Sequence, residues 1–238
     1  MSGHSKWSTI KHTKGLKDAA RSASFTKLAR EITMSAKLGD PNPENNARLR
    51  LAIFNARKAS MPGDNIKRAI EKSQASGGEN YDSVRYEGYG PGAIPMIVEA
   101  MTDNPRRTAP EIKNLFAKGG GNIGEMGSVA FMFKQKGVIY YPLSAAKNAD
   151  EMMEIIMEVG AEDLDSGEDC HVVYAKAEAF GAVQKALSDK LGEPEEAGIE
   201  WIPDNPVEPS PEDAAKLEKL VNILNENDDV QKVFTAMA

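Results

Sequence analysis

Few residues in this chain could do nucleophilic or metal chemistry. Three histidines (His4, His12 and His171) and one cysteine, Cys170, are its whole stock of imidazole and thiol. A structural zinc site takes about four such ligands at short spacings. The stretch Gly3–Gly15 around His4 and His12 holds neither a cysteine nor a carboxylate. Cys170-His171 opens a predicted strand, where neighbouring side chains face opposite ways. A cysteine there reads as a small buried hydrophobe rather than a nucleophile, and with no second cysteine it forms no internal disulfide. The carboxylates of "EDLDSGED" lack the D-x-D-x-D-G order of a calcium loop. "GGGNIG" at Gly119–Gly124 spells G-x-G-x-x-G, a pattern that cradles a pyrophosphate only when a strand precedes it and a helix follows. Here the predicted order is helix, then strand, so a helix stop and glycine turn is expected. Gly124-Glu125-Met126-Gly127 likewise lacks the two flanking helices of a G-x-x-G nucleic-acid clamp. No catalytic residue, metal site or cofactor is expected, and the chain reads as a non-enzyme.

Another kind of chemistry is better supplied. "GHSKWSTIKHTKG", Gly3 to Gly15, is basic and free of carboxylates in a chain of formal net charge −7. Lys6, Lys11, Lys14, Lys17, Arg21, Lys27 and Arg30 follow one another along this end, with His12 and Trp7 among them. Each phosphate neutralised by such cations releases counterion, the main source of sequence-independent affinity for nucleic acid. Trp7 can stack on an unpaired base or pack against the first helix. The small residues Gly3, Ser5, Ser8, Thr9, Thr13 and Gly15 let the backbone approach a phosphate closely. A second, weaker cluster is Arg106, Arg107, Lys113 and Lys118. Residues 1–75 carry 15 Lys/Arg against 6 Asp/Glu, a net +9, whereas the remainder carries 14 against 30, a net −16. This asymmetry points to one nucleic-acid-facing end.

The elements that must hold these residues follow from periodicity. "DAARSASFTKLAREITMSAKLG" places Phe25, Leu28, Ala29, Ile32 and Ala36 on one helical stripe. A second helix is expected after "DPNPENN", with Asn42 as its cap and Pro43 at its first position, burying Leu49, Ala52, Ile53 and Ala56. A third begins at "MPGDNIKRAIEKS" with Asp64 as cap, and "SQASGGEN" is a linker. "YDSVRYEGYGPGAIPMIVEAM" then reads as two strands about a Gly/Pro turn, the second buried on both faces. "TAPEIKNLFAKGG" is expected to be a helix capped by Thr108, and "SVAFMF" and "GVIYYP" to be strands. From Gly137 to Pro203 the order strand, helix, weak strand at "AEDLDS", strand, helix, strand fits a ferredoxin-like unit. A last helix, "DAAKLEKLVNILNEN", and strand, "VQKVFTAM", would return to the middle part.

The expected class is α+β with three domains. These are a basic helical domain at 1–78, a discontinuous α/β domain at 79–136 plus 207–238, and a ferredoxin-like domain at 137–206 inserted into it. An apolar fraction of 41% and a charged fraction of 27% suit a globular chain. Runs such as "AIPMIVEAM" are too short to span a bilayer, and no apolar leader is seen at the start. A cytoplasmic monomer that does not engage membranes is expected.

Beyond these signals, "GHSKWSTIKHTKGLKDAARSASFTKLAREI", "YEGYGPGAIPMIVEAMTDNPRRTAPEIKNLFAKGGGNIGEMGSVAFMF", "GAEDL" and "DDVQKVF" resemble the YebC/PmpR family over nearly the whole chain. The resemblance implies one helical and two α/β domains and no catalytic activity. Members are usually described as DNA-binding transcriptional regulators. Mitochondrial relatives act as translational activators, and bacterial ones are linked to ribosomes stalled on proline-rich stretches. The family's basic surface maps onto Lys6, Lys11, Lys14, Lys17, Lys27 and Arg30, though Ser22-Ala23-Ser24 stands where relatives often carry more cations. Two partners are therefore expected as alternatives: DNA, or ribosomal RNA and tRNA on the ribosome. No array of Arg, Asn and Gln on a single helix marks a base-reading element.

Overall fold

The computed structural model describes residues 18–74 and 80–238, with side chains from Ser24 onward. Among these, the α+β class read from the sequence is what forms. Contacts divide the described chain into two compact units, one built on 18–74, 80–133 and 203–237, the other on 134–202.

The first unit begins with three helices, α1 (Asp18–Leu38), α2 (Ala47–Lys58) and α3 (Gly63–Gln74). The predicted stripe of α1 packs as a stripe. Ile32 and Ala36 bury against Leu49, Ala52, Ile53, Ala56, Met61, Ile66 and Ala69, with Phe25, Leu28 and Ala29 at the margin. Fully burying one such aliphatic side chain contributes about 1.5–3 kcal/mol. The entry to α2 differs from expectation. Asn46, not Asn42, is the cap: its Oδ1 accepts from the Leu49 amide at 3.0 Å, and its Nδ2 donates to the carbonyls of Ser35 and Asp40. Asn42 instead accepts from the Glu44 amide and shapes the preceding turn. Asp64 lies in the first turn of α3 rather than before it.

The sheet of this unit has the order β3-β1-β2-β8. β1 (Asp82–Gly90) and β2 (Ile94–Thr102) are antiparallel from Asp82↔Thr102 to Gly90↔Ile94 about the turn Pro91–Ala93. β2 is buried along nearly its whole length, as its run of apolar residues, interrupted only by the half-buried Glu99, requires. α4 (Pro105–Lys118) and α7 (Pro211–Asn225) bury Ile112 and Phe116, and Leu217, Leu220 and Leu224. Asn104 caps α4, accepting from the Arg107 amide, and Pro105 takes the first helical position. The expected cap, Thr108, is instead fully buried one turn inside. β3 (Asn122–Ile123) pairs with β1, and β8 (Val230–Thr235) with β2, both antiparallel.

The expected strand over "SVAFMF" does not form. Glu87, in the middle of β1, turns its buried carboxylate onto this segment, and its Oε2 accepts from the amides of Val129 and Ala130 at 2.9 and 2.8 Å. Those donors are lost to any ladder, and Ala130–Met132 closes into a 3₁₀ turn. Burial works to raise the Glu87 pKa, but the amides of Val129, Gly127 and Ala130 and the charge of Arg85 together hold it below the ordinary value.

In the second unit, β4 (Phe133–Pro142), α5 (Ala149–Glu158), β5 (Asp163–Ser166), β6 (Cys170–Lys176), α6 (Phe180–Leu191) and β7 (Glu196–Pro203) follow in order. Their sheet has the order β5-β6-β4-β7, with β4–β6 and β5–β6 antiparallel, as in a ferredoxin-like sheet. Cys170 packs with Val138, Tyr140 and Val172. His171 is buried beside it, its Nδ1 2.7 Å from the Ser166 hydroxyl. Burial, outweighing a hydrogen bond with the Leu143 backbone, lowers its pKa and favours the neutral ring. No described helix is long and apolar enough to cross a membrane.

Candidate nucleic-acid interface

Lys27 and Arg30 lie on the α1 face turned towards the corner between α7 and β8. The Lys27 ammonium donates to the Asn225 carbonyl at 2.5 Å, at the C-terminal end of α7, where a helix favours a cation. Burial is the largest influence on Lys27 and lowers its pKa; Asp228 opposes this and Arg30 adds to it. Arg30 Nη1 donates to Asp229 Oδ1 at 2.8 Å and to the Asp228 carbonyl at 2.7 Å. Arg107 of α4 reaches the other oxygen of Asp229 at 2.9 Å, and the Thr108 hydroxyl donates to the same oxygen at 2.6 Å. Asp229 is 4% exposed. Burial alone would raise its pKa. Hydrogen bonds from Thr108, Arg107, Arg30 and Thr102 outweigh that and hold the carboxyl below its ordinary value. Arg107 is raised in turn, first by its hydrogen bond to Asp229 and then by that to Asp103. Two residues from the two predicted basic clusters thus meet on one carboxylate.

Other cations of the helices face outward. Arg48, Arg50, Arg57, Lys58, Lys67, Arg68 and Lys72 are all exposed. Arg48 is paired with Glu31, Nε to Oε1 at 2.8 Å, and Arg50 donates to the carbonyls of Pro43 and Glu44. The first-turn arginines of α2 thus each commit part of their donors to protein acceptors, whereas Arg57 in its last turn is exposed. Arg68 and Lys72, four residues apart on α3, share a face. They border a cleft of about 630 Å³ whose walls also include Phe25, Thr26, Arg30, Asn65 and Tyr81. The Arg30 guanidinium sits 5.2 Å from the Tyr81 ring centroid, within cation–π range. Among the described residues lining the cleft, the charged ones are Arg30, Arg68 and Lys72.

On α4, burial of Thr108, Ile112 and Phe116 leaves Arg106, Lys113 and Lys118 exposed. Arg106 and Lys113, two turns apart, share a face. The glycine motif beyond the helix is shaped by packing. Gly120 has φ +79°, a left-handed conformation that suits glycine, and a Cβ on Gly121 would lie 2.6 Å from the Tyr89 carbonyl. The following β3 lies against β1, as a helix stop followed by a strand requires.

The expected site residues divide accordingly. Lys6, Trp7, Lys11, His12, Lys14 and Lys17 lie outside the described residues, as do His4 and the rest of the arm. Arg21 lies on α1, its side chain likewise outside. Lys27, Arg30 and Arg107 form the clasp around Asn225, Asp228 and Asp229. Arg106, Lys113 and Lys118 lie on the solvent side of α4. The cleft residues Phe25, Arg68, Lys72 and Tyr81 were not among the expected ones. The Arg68–Lys72 spacing was a usable signal, whereas the approach of Tyr81 across the linker was not. Among the described residues, no three His, Cys, Asp or Glu side chains are placed to hold a metal ion.

Comparisons with known proteins bear on the whole chain. Residues 5–76 match the TACO1/YebC protein N-terminal domain, and residues 81–237 match the TACO1/YebC second and third domain. The crystal structure of a conserved hypothetical protein from Aquifex aeolicus is 44% identical and superposes with a TM-score of 0.84, covering 93% of this chain and 91% of that one. With residues 5–76 and 81–237 both matched, the chain belongs to the TACO1/YebC family.

Proposed function

We propose that this chain is a non-enzymatic, nucleic-acid-binding regulator of gene expression, working through its basic N-terminal end. The observation that carries the reading is charge segregation: a net +9 over residues 1–75 against −16 over the remainder. Such a chain is drawn to phosphate by one end and repelled by the other, which favours one productive orientation. The family's customary description is DNA-binding transcriptional regulation. Major-groove readout needs free side-chain donors aimed at base edges, yet Arg48 and Arg50 of α2 donate to Glu31, Pro43 and Glu44. The second reading, a ribosome-associated factor binding rRNA or tRNA and relieving stalling on proline-rich sequences, is favoured by the aromatic and cationic cleft. Folded and single-stranded RNA is recognised by shape, phosphate contacts and stacking.

Ultraviolet crosslinking in living cells, followed by sequencing of the attached nucleic acid, tests the proposal. Crosslinks are expected in the wild-type chain and not in the Lys11→Glu, Lys14→Glu variant. Concentration in ribosomal RNA selects the translation reading; concentration at a few promoters selects transcription. A wild-type chain that retains no nucleic acid, or a variant that retains all of it, overturns the proposal. ATP and GTP hydrolysis by the purified chain is expected at the background rate.

A further inference from the structure

We infer that the cleft between α1, α3 and Tyr81 is a binding site for one unstacked nucleotide of a single strand. The inference deepens the reading above and rests on it: the arm would supply sequence-independent affinity, and the cleft would seat a base and its phosphate. Its volume of about 630 Å³ lies within the roughly 300–1,000 Å³ span of small-ligand sites. Ala29, Met61 and Ala69 give the lining an apolar part beside the buried Thr33, and two aromatic residues, Phe25 and Tyr81, line it as well. Ring surface of this kind takes a base of any identity, because every base has a π-face. The Tyr81 ring is held by the guanidinium of Arg30, which is itself anchored on Asp229. The platform is thus braced before any ligand arrives, which reduces the ordering cost of binding.

Chemistry at the rim completes a nucleotide. Arg68 and Lys72 are exposed, one helical turn apart, and both line the cleft. Arg68 offers a planar fork matched to phosphate oxygens, and Lys72 a point charge. Thr26 and Asn65 place a hydroxyl and a carboxamide in the lining, groups able to donate to and accept from a base edge. The charges among the described lining residues are cationic, and beside aromatic rings they suit a phosphorylated, planar ligand. A cationic ligand would find no charge partner among the described lining residues, and an aliphatic one would leave Arg68 and Lys72 unused.

The test uses the full chain and fluorescein-labelled 12-nucleotide single strands, one RNA and one DNA, each with one 4-thio-substituted pyrimidine. Photocrosslinks are expected on the peptide bearing Phe25 or Tyr81. The double variant Arg68→Glu, Lys72→Glu is expected to weaken binding at least tenfold and to flatten the log-log salt slope by about 1.4, the share of two phosphates on a single strand. Both residues are exposed, so an unchanged melting temperature is expected alongside. Tyr81→Leu is expected to weaken binding about five- to twentyfold, within the range for loss of one stacked base. Loss on either strand supports the cleft, and the strand more affected identifies the source of the nucleotide. Wild-type affinity in the double variant, with crosslinks confined to residues 1–17, overturns the cleft while leaving the arm reading intact. A wild-type chain that binds neither strand at low salt overturns both.

Discussion

Asp229 receives Arg30, Arg107 and Thr108 in a place where its carboxylate has little water to fall back on. Its pKa is lower folded than unfolded. Its contribution to stability is therefore fully present above the unfolded value of about 3.9 and lost as pH falls through the lower folded value. Asp229→Asn keeps the shape but removes the charge and turns an amide towards donors. A loss of about 3 kcal/mol is expected, the scale for breaking one partner out of a buried pair. Denaturant melts at pH 7 measure it. Between pH 4 and pH 2 the gap between wild type and variant should narrow, and a gap that stays constant would show that the charge contributes nothing. This residue also marks a limit of sequence reading. The stripe Phe25, Leu28, Ala29, Ile32, Ala36 was legible because its neighbours lie three or four residues apart. Arg30 looked like one more phosphate contact because its partner lies 199 residues further on, and no local period reports such a contact.

Elements were legible where periodicity and turn chemistry agreed, as in the pairing of β1 with β2 and in all seven described helices. They were misread where one distant side chain decided the outcome. Glu87 captures two amides of the segment 128–133 and turns an expected strand into a 3₁₀ turn. Thr108 looked like a helix cap because its burial against Asp229 could not be seen. The stretch Gly119–Gly124 illustrates the reverse, a motif whose letters suggest ligand chemistry but whose geometry serves packing. Gly121→Ala would press a methyl against the Tyr89 carbonyl, 2.6 Å away, and against Leu220 of α7. The backbone carbonyl cannot swing aside as a side chain does, so β3 must shift. A loss of about 2 kcal/mol is expected, with faster hydrogen exchange in β3 and unchanged nucleic-acid affinity. Lower affinity with unchanged stability would instead restore a ligand role for the glycines.

The whole molecule is a basic end joined to a larger acidic remainder, and salt measures how that division is used. If about six phosphates are neutralised, the slope of log K against log salt should be about −4 on a single strand and about −5 on a duplex. The slope counts cations in contact, so it separates the described helices from the arm. Lys27, Arg30 and Arg107 are already committed to Asn225, Asp228 and Asp229 and would add little. Lys27→Gln should therefore leave the slope unchanged, whereas Lys11→Glu with Lys14→Glu should reduce it by about 1.4 to 1.8. Repulsion between bulk phosphate and the acidic remainder, net −16, is long-ranged and is itself screened by salt. It should therefore make the low-salt end of the plot shallower than its middle. A straight line of slope near zero over 50–300 mM salt would remove the electrostatic basis of the proposed function. A slope carried by Lys27 would show that the clasp opens when nucleic acid binds.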